Sequence, residues 1–276
     1  MRRVLRRLRE YLTTYGLLVT LAVMILAWTA LALVLLAPLP ARWRRASARY
    51  TMMAGFRLFC RFLTLTGAYR LQLSCIDGLR EGPALILAPN HPSAFDALLL
   101  LTRHPNLACI LKPELLGNLF LGAGARLAGF IRSDPPRRMV KEAVAQLRRG
   151  SSVLLFPEGT RTRRSPINPL TGGIAVIARH AGAPIQVILI ETDSPYLGKG
   201  WPFFKAPRLP IEYRVRLGQR FEPPRDVAHC MQELEREYRA QLAAAPQRAW
   251  LAEPRSCSAE PPGAADHPPP ARRNRP

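Results

Sequence analysis

The sequence predicts an α/β domain built on a mixed, largely parallel sheet flanked by helices, behind an N-terminal membrane-embedded helical segment. Three observations predict it. Residues 11–41 contain no charged side chain. From residue 69 onward, short apolar runs alternate with amphipathic stretches, the pattern of strands feeding helices. Two of those apolar runs open directly into loops dense in polar residues, where α/β sheets place their ligands.

The chain starts with MRRVLRRLRE, a basic cluster, and continues into GLLVTLAVMILAWTALALVLLAPL over 16–39. A membrane span needs about 20 apolar residues, and a secretory leader has an apolar core of only about 7–15. The stretch therefore reads as an anchor over about 12–40, either one transmembrane helix or a helical hairpin in one leaflet bent at Pro38 and Pro40. Arg42, Arg44, Arg45 and Arg49 follow, so basic residues flank both sides and orientation is not set by charge. Residues 47–68 suggest a second helix. Arg57 and Arg61 share a face among Phe56, Leu58, Phe59, Phe62 and Leu63, which fits either an interfacial helix or a core helix. An anchor over 1–68 and a globular domain over 69–245 follow.

Within that domain, strands are expected at Arg70–Ile76, Ala84–Ala88, Leu107–Leu111, Ser152–Phe156, Ile185–Ile190 and Glu212–Leu217. Pro135–Arg149 reads as a helix capped by Ser133 or Asp134 and closed by Gly150. Gly173–Ala181 is another, stopped by Gly182 and Pro184. Asp226–Ala244 carries Val227, Met231, Leu234, Tyr238 and Leu242 on one stripe. Residues 246–276, rich in Pro and Arg, cannot bury enough apolar surface to order themselves.

Composition narrows the function. In 276 residues, 40 Lys+Arg face 19 Asp+Glu, a formal charge of +21. That calls for an anionic partner, while the 48% hydrophobic content excludes a disordered nucleic-acid-condensing tail. Nine basic residues and one acid lie in the first fifty, where anionic membrane lipids fit and nucleic acid is not needed. The five cysteines show no C-x-x-C pair, and the histidines lack metal-ligand spacing, so no metal site is expected.

The chemistry-bearing loops are APNHPSAFD (88–96), GFIRSD (129–134) and FPEGTRTRRS (156–165), with APIQVILI (183–190) as a fourth apolar block. His91 and Asp96 stand five apart. A carboxylate brought back to the imidazole fixes its tautomer and leaves the other nitrogen free to take a proton. That is the base half of a nucleophilic triad, with the nucleophile supplied by a substrate hydroxyl. No G-x-S-x-G elbow is present to make a hydrolase of it. Backbone N–H groups, Thr160 and Arg161 suit a phosphate beyond a strand end.

In this order, the four blocks resemble those of the lysophospholipid acyltransferase family over roughly residues 70–220. The resemblance implies an acyltransferase-type sheet and a reaction without metal, cofactor or covalent intermediate. His91 is then the general base and Asp96 its orienting partner, acting on the acceptor hydroxyl. Asn90, Ser93, Arg132, Glu158, Gly159, Thr160 and Arg161 fall among the substrate-binding positions. Arg132 and Arg161 hold the acceptor phosphate, and Glu158 positions a hydroxyl or an arginine. The implied donor is acyl-CoA or an acyl carrier protein, and the implied acceptor is a lysophospholipid. The implied location is a bacterial inner membrane, with the catalytic domain facing the cytoplasm. Pro92 departs from the family, whose glycerolipid members more often carry Gln or another polar residue there. A lyso-ornithine lipid or another specialised acceptor therefore stays open. DSPYLGKGWPFF (193–204) is an insert-like loop suited to an acyl groove, to lipid contact or to plain packing.

Overall fold

The structure, a computed structural model, describes residues 1–244 except 119–120, 165 and 203. The expected tail over 246–276 lies outside the described residues, as does residue 245.

Two long helices open the chain, α1 (Arg2–Leu36) and α2 (Ala41–Leu65), joined by a short turn through Pro38 and Pro40. α1 starts about ten residues before the expected anchor, because the Arg/Leu-rich first turns contain no helix breaker. It is long and apolar enough to cross a membrane. Its inward seam is Glu10, Thr14, Leu17, Leu21, Met24, Trp28 and Ala32, a three-and-four spacing that keeps one side against the rest of the protein. Val19, Val23, Leu26, Leu33 and Val34 stay exposed.

α2 is a layer of the domain. Ala48, Met52, Phe59, Cys60 and Leu63 join one core cluster with Leu17 and Ala32 of α1 and with Tyr69 and the sheet. The boundary expected at 68/69 thus separates no two bodies. Buried Arg49 reinforces this contact. It donates to Ala128 O (2.7 Å), Asn106 Oδ1 (2.8 Å) and Gln146 Oε1 (3.2 Å). All three acceptors are neutral, and burial, with Arg45 nearby, lowers its pKa to about 10. The outer face of α2 shows Trp43, Tyr50, Leu58, Phe62 and Leu65.

Seven strands follow: β1 (Tyr69–Gln72), β2 (Ile86–Pro89), β3 (Leu107–Leu111), β4 (Ile131–Arg132), β5 (Ser152–Leu154), β6 (Ile185–Thr192) and β7 (Ile211–Phe221). They lie in the order β1-β7-β6-β2-β5-β3-β4. β6, β2, β5, β3 and β4 are mutually parallel; β7 runs against β6, and β1 runs with β7. Parallel strands are covered on both faces, so their apolar runs are continuous. Leu87, Leu154, Ile188 and Ile190 face α2 and α3 (Asp96–Leu101). Ile86, Ala88, Val153, Val187 and Leu189 face α6 (Pro136–Arg148), α7 (Gly173–Ala181) and α8 (Val227–Ala244). Two short helices, α4 (Pro113–Gly117) and α5 (Gly122–Leu127), complete the set.

Three local expectations change. The first strand stops at Gln72, and Ser74–Arg80 forms a 3-10 helix in which Ile76 and Leu79, three apart, are both buried. GFIRSD is not a plain turn, since Ile131–Arg132 makes the edge strand β4. Neither Ser133 nor Asp134 caps α6, whose N-cap is Pro135, with Pro136 in its first turn.

Candidate active site

The site forms at the carboxyl edge of the parallel strands, where the loops after the central neighbours β2 and β5 meet. His91 follows β2. Its Nδ1 lies 2.9 Å from Asp96 Oδ2, and its Nε2 has no partner among the described residues. The imidazole stacks on Phe156, with centroids 3.9 Å apart.

Asp96 is fully buried. In the turn leading into α3, Oδ2 also accepts the Ser93 N–H at 2.8 Å, and Ser93 Oγ accepts the Phe95 N–H. The carboxylate that faces the imidazole is thus fixed by its own helix turn. Burial raises the Asp96 pKa, the bonds from His91 and Ser93 oppose that rise, and the nearby Glu158 carboxylate adds to it.

Four expected substrate-binding residues are internal ties or shape the loop. Asn90 is buried and clips β2 to β6, donating to Ile190 O (2.9 Å) and accepting from Ile190 N (2.6 Å). Ser93 is buried and donates to Tyr196 O at 3.1 Å. Glu158, also buried, holds no arginine. Oε1 accepts the His91 N–H (2.9 Å) and the Thr162 hydroxyl (2.7 Å), and Oε2 accepts the Asn168 N–H (3.0 Å). The hydroxyl it positions is therefore that of Thr162. With the Thr162 N–H donating to His91 O at 2.8 Å, this locks the loops after β2 and β5 together. Gly159 turns the chain at φ +64°, a conformation that favours glycine.

The remaining expected residues face outward. Thr160 is half-buried at the loop tip. Arg161 donates through Nη1 to Leu197 O (2.7 Å) and Gly198 O (3.1 Å), which leaves Nε and Nη2 unpartnered among the described residues. Arg132 is exposed on the same edge of the sheet, but on β4. With strands about 4.8 Å apart, β4 stands about 10 Å from β5 and about 15 Å from β2, so the Arg132 backbone is set to one side of both loops.

The 193–204 loop contributes more than packing. Besides holding Arg161, Leu197 O accepts the Ala94 N–H at 3.0 Å, with Leu197 itself at φ +57°. A Cβ on Gly198 would meet Pro195 O at 2.8 Å. Tyr196 is buried edge-on to Trp201, while Phe204 is exposed; Phe203 lies outside the described residues. Exposed Lys199 is held below its usual pKa, mainly by Arg163 and further by Lys112 and Arg161, so the mouth is basic. Thr162, Asn168, Leu197 and Lys199 were missed from sequence. Only Ser93 and Asp96, three apart, offered a readable local signal, that of a side chain bonding back to a nearby amide. Among the described residues, no group of three or more His, Cys, Asp or Glu could hold a metal.

The Acyltransferase family model matches residues 70–191. A 1-acyl-sn-glycerol-3-phosphate acyltransferase of Pseudomonas aeruginosa is 28% identical over 201 residues, covering 69% of this chain and 76% of that protein. A lyso-ornithine lipid O-acyltransferase of the same organism is 29% identical over 136 residues, covering 48% and 51%. The crystal structure of the 1-acyl-sn-glycerophosphate acyltransferase PlsC from Thermotoga maritima shares the fold, with a TM-score of 0.65 at 19% identity, over 86% of this chain and 96% of that one. With its motifs in order on this sheet, the chain is an acyltransferase similar to enzymes of the lysophospholipid acyltransferase family.

Proposed function

We propose that the protein acylates the free hydroxyl of 1-acyl-sn-glycerol-3-phosphate to give phosphatidic acid, using acyl-CoA or acyl carrier protein as donor. The observation that carries this reading is the pairing of half-buried His91 with buried Asp96 at 2.9 Å, with Nε2 unpartnered among the described residues at the carboxyl edge of the sheet. Asp96 accepts from Nδ1–H, so the lone pair sits on Nε2. His91 takes the acceptor proton as the hydroxyl oxygen attacks the thioester carbonyl. The C–S bond then breaks, and the imidazolium returns the proton to the departing thiolate. The protein's own groups supply the acid–base work, with no metal or cofactor in the scheme. Arg161, fixed through one nitrogen, offers its other two to the acceptor phosphate beside Thr160 and the Gly159 turn. Arg132 extends the same basic edge.

The α1–α2 hairpin is the membrane element of this reading. α1 is about 52 Å long by its 35 residues, against about 30 Å of hydrocarbon. Its inner seam packs on the domain from Glu10 to Ala32, and a water-soluble domain cannot flank a helix inside a bilayer. This favours a hairpin lying in one leaflet, with anionic headgroups against its arginines and the domain on the cytoplasmic side of an inner membrane. A second reading, acylation of a lyso-ornithine lipid, is favoured by Pro92 and by the relative of that name.

A panel of labelled acyl-CoA and acyl carrier protein donors against lysophosphatidate and lyso-ornithine lipid decides between the two. The expected product is phosphatidic acid, formed at a rate at least about 1,000-fold lower by His91→Ala. Turnover retained in His91→Ala would remove the mechanism; a product formed only from lyso-ornithine lipid would change the acceptor.

A further inference from the structure

Asp96 has a second carboxylate oxygen that this mechanism does not use. Oδ2 serves His91 and Ser93, but Oδ1 is buried with no hydrogen-bond partner among the described residues. An unpaired carboxylate oxygen away from water is expensive, because nothing replaces the hydration it lost. Beside it lies a second anomaly. The Tyr213 hydroxyl, on β7, is also fully buried without a hydrogen-bond partner.

The two orphans are complementary, since a phenol can donate and an ionised carboxylate oxygen can only accept. The fold puts them in one compartment. The Tyr213 ring packs against Phe95, the residue before Asp96, at 5.9 Å and against Tyr69 at 6.4 Å. Tyr213 pairs with Thr192 across β6 and β7, and the side chains of Thr192 and Ser93 flank its hydroxyl. The Asp96 charge also reaches the phenol: burial first, then Asp96, pushes the Tyr213 pKa above its ordinary value.

We propose that Tyr213 is a positioning residue for the His91–Asp96 pair, its hydroxyl supplying the hydrogen that Asp96 Oδ1 lacks, directly or through one enclosed water. The inference rests on the assignment of His91 as base. Three groups then hold the carboxylate from three directions, namely the imidazole, the Ser93 amide and the phenol. This keeps Asp96 ionised despite burial and despite the Glu158 carboxylate nearby. The titratable groups facing Asp96 are His91, Glu158 and Tyr213; those facing Tyr213 are Asp96, Tyr69 and Tyr196.

The test is Tyr213→Phe, which keeps the ring and removes only the donor. The active form needs neutral His91 beside ionised Asp96. Losing the donor destabilises that form and not the form with Asp96 protonated, so the pair takes its proton at higher pH. The expected result is a kcat lower by about 10- to 100-fold with both KM values within twofold, and an acid limb of the kcat/KM profile moved to higher pH. An unchanged acid limb overturns the proposal. If Tyr213→Phe does not fold, 3-fluorotyrosine at 213, a stronger donor of the same shape, replaces it; the acid limb then moves to lower pH, and an unmoved limb overturns the proposal. Loss of turnover in His91→Ala keeps the underlying reading separate. Should that variant remain active, the base assignment fails whatever Tyr213 does.

Discussion

His104 shows how a single buried residue sets the acid stability of this domain. It is buried near the end of α3, where Nδ1 accepts the Asn106 N–H at 3.2 Å. Burial lowers its pKa from 6.5 to about 4. The unfolded chain therefore takes the proton first. The stability owed to neutral His104 is complete above about pH 6.5 and is lost as pH falls towards 4. His104→Gln removes this titration. Urea midpoints measured between pH 7 and 4 are expected to fall less steeply in the variant, and parallel curves would contradict the assignment. The active-site pair differs because its spacing is local. His91 and Asp96 were legible in the sequence, as was the Arg161 loop as a unit. The jobs of Asn90 and Glu158 were not. Their partners, Ile190 and the His91 amide, lie 100 and 67 positions away and become neighbours only through the strand order.

At the scale of elements, helices with clear punctuation were readable. Gly182 closes α7 at φ +63°, as its position after the apolar run predicted. α3 carries no helical period of its own, since Leu98–Leu101 are all buried and four consecutive leucines leave no polar face. β4 has two residues, too few for any pattern. The packing of α1 on α5 makes a sharper prediction. A Cβ on Gly124 would stand 2.3 Å from the Trp28 ring, and Trp28 Nε1 is tied to Thr51 Oγ1 at 3.1 Å, so the ring cannot swing away freely. Gly124→Ala is expected to destabilise by about 1–3 kcal/mol through overpacking. Gly16→Ala, on α1 with nothing within 4 Å, is expected to stabilise by up to about 1 kcal/mol. Melting temperatures of the two variants in detergent, moving in opposite directions, would establish the α1–α5 contact.

For the whole molecule, the balance of charge and apolar surface separates two contributions to membrane binding. The arginines of the first turns lie on the same helix as the bare face of Val19, Val23 and Leu26. Flotation with vesicles should increase with phosphatidylglycerol content and weaken with salt, down to a salt-resistant remainder. Val23→Glu and Leu26→Glu should each remove at least about tenfold of that remainder. Flotation unaffected by these changes would place the lipid contact elsewhere. Glu158 has a wider consequence. One carboxylate bolts the loop carrying His91 to the loop carrying Arg161. Substitutions in the two loops are then epistatic, each altering the background on which the other acts. On the proposed reading, acceptor preference and turnover do not drift independently in this lineage, and a change of substrate has to be negotiated through Glu158.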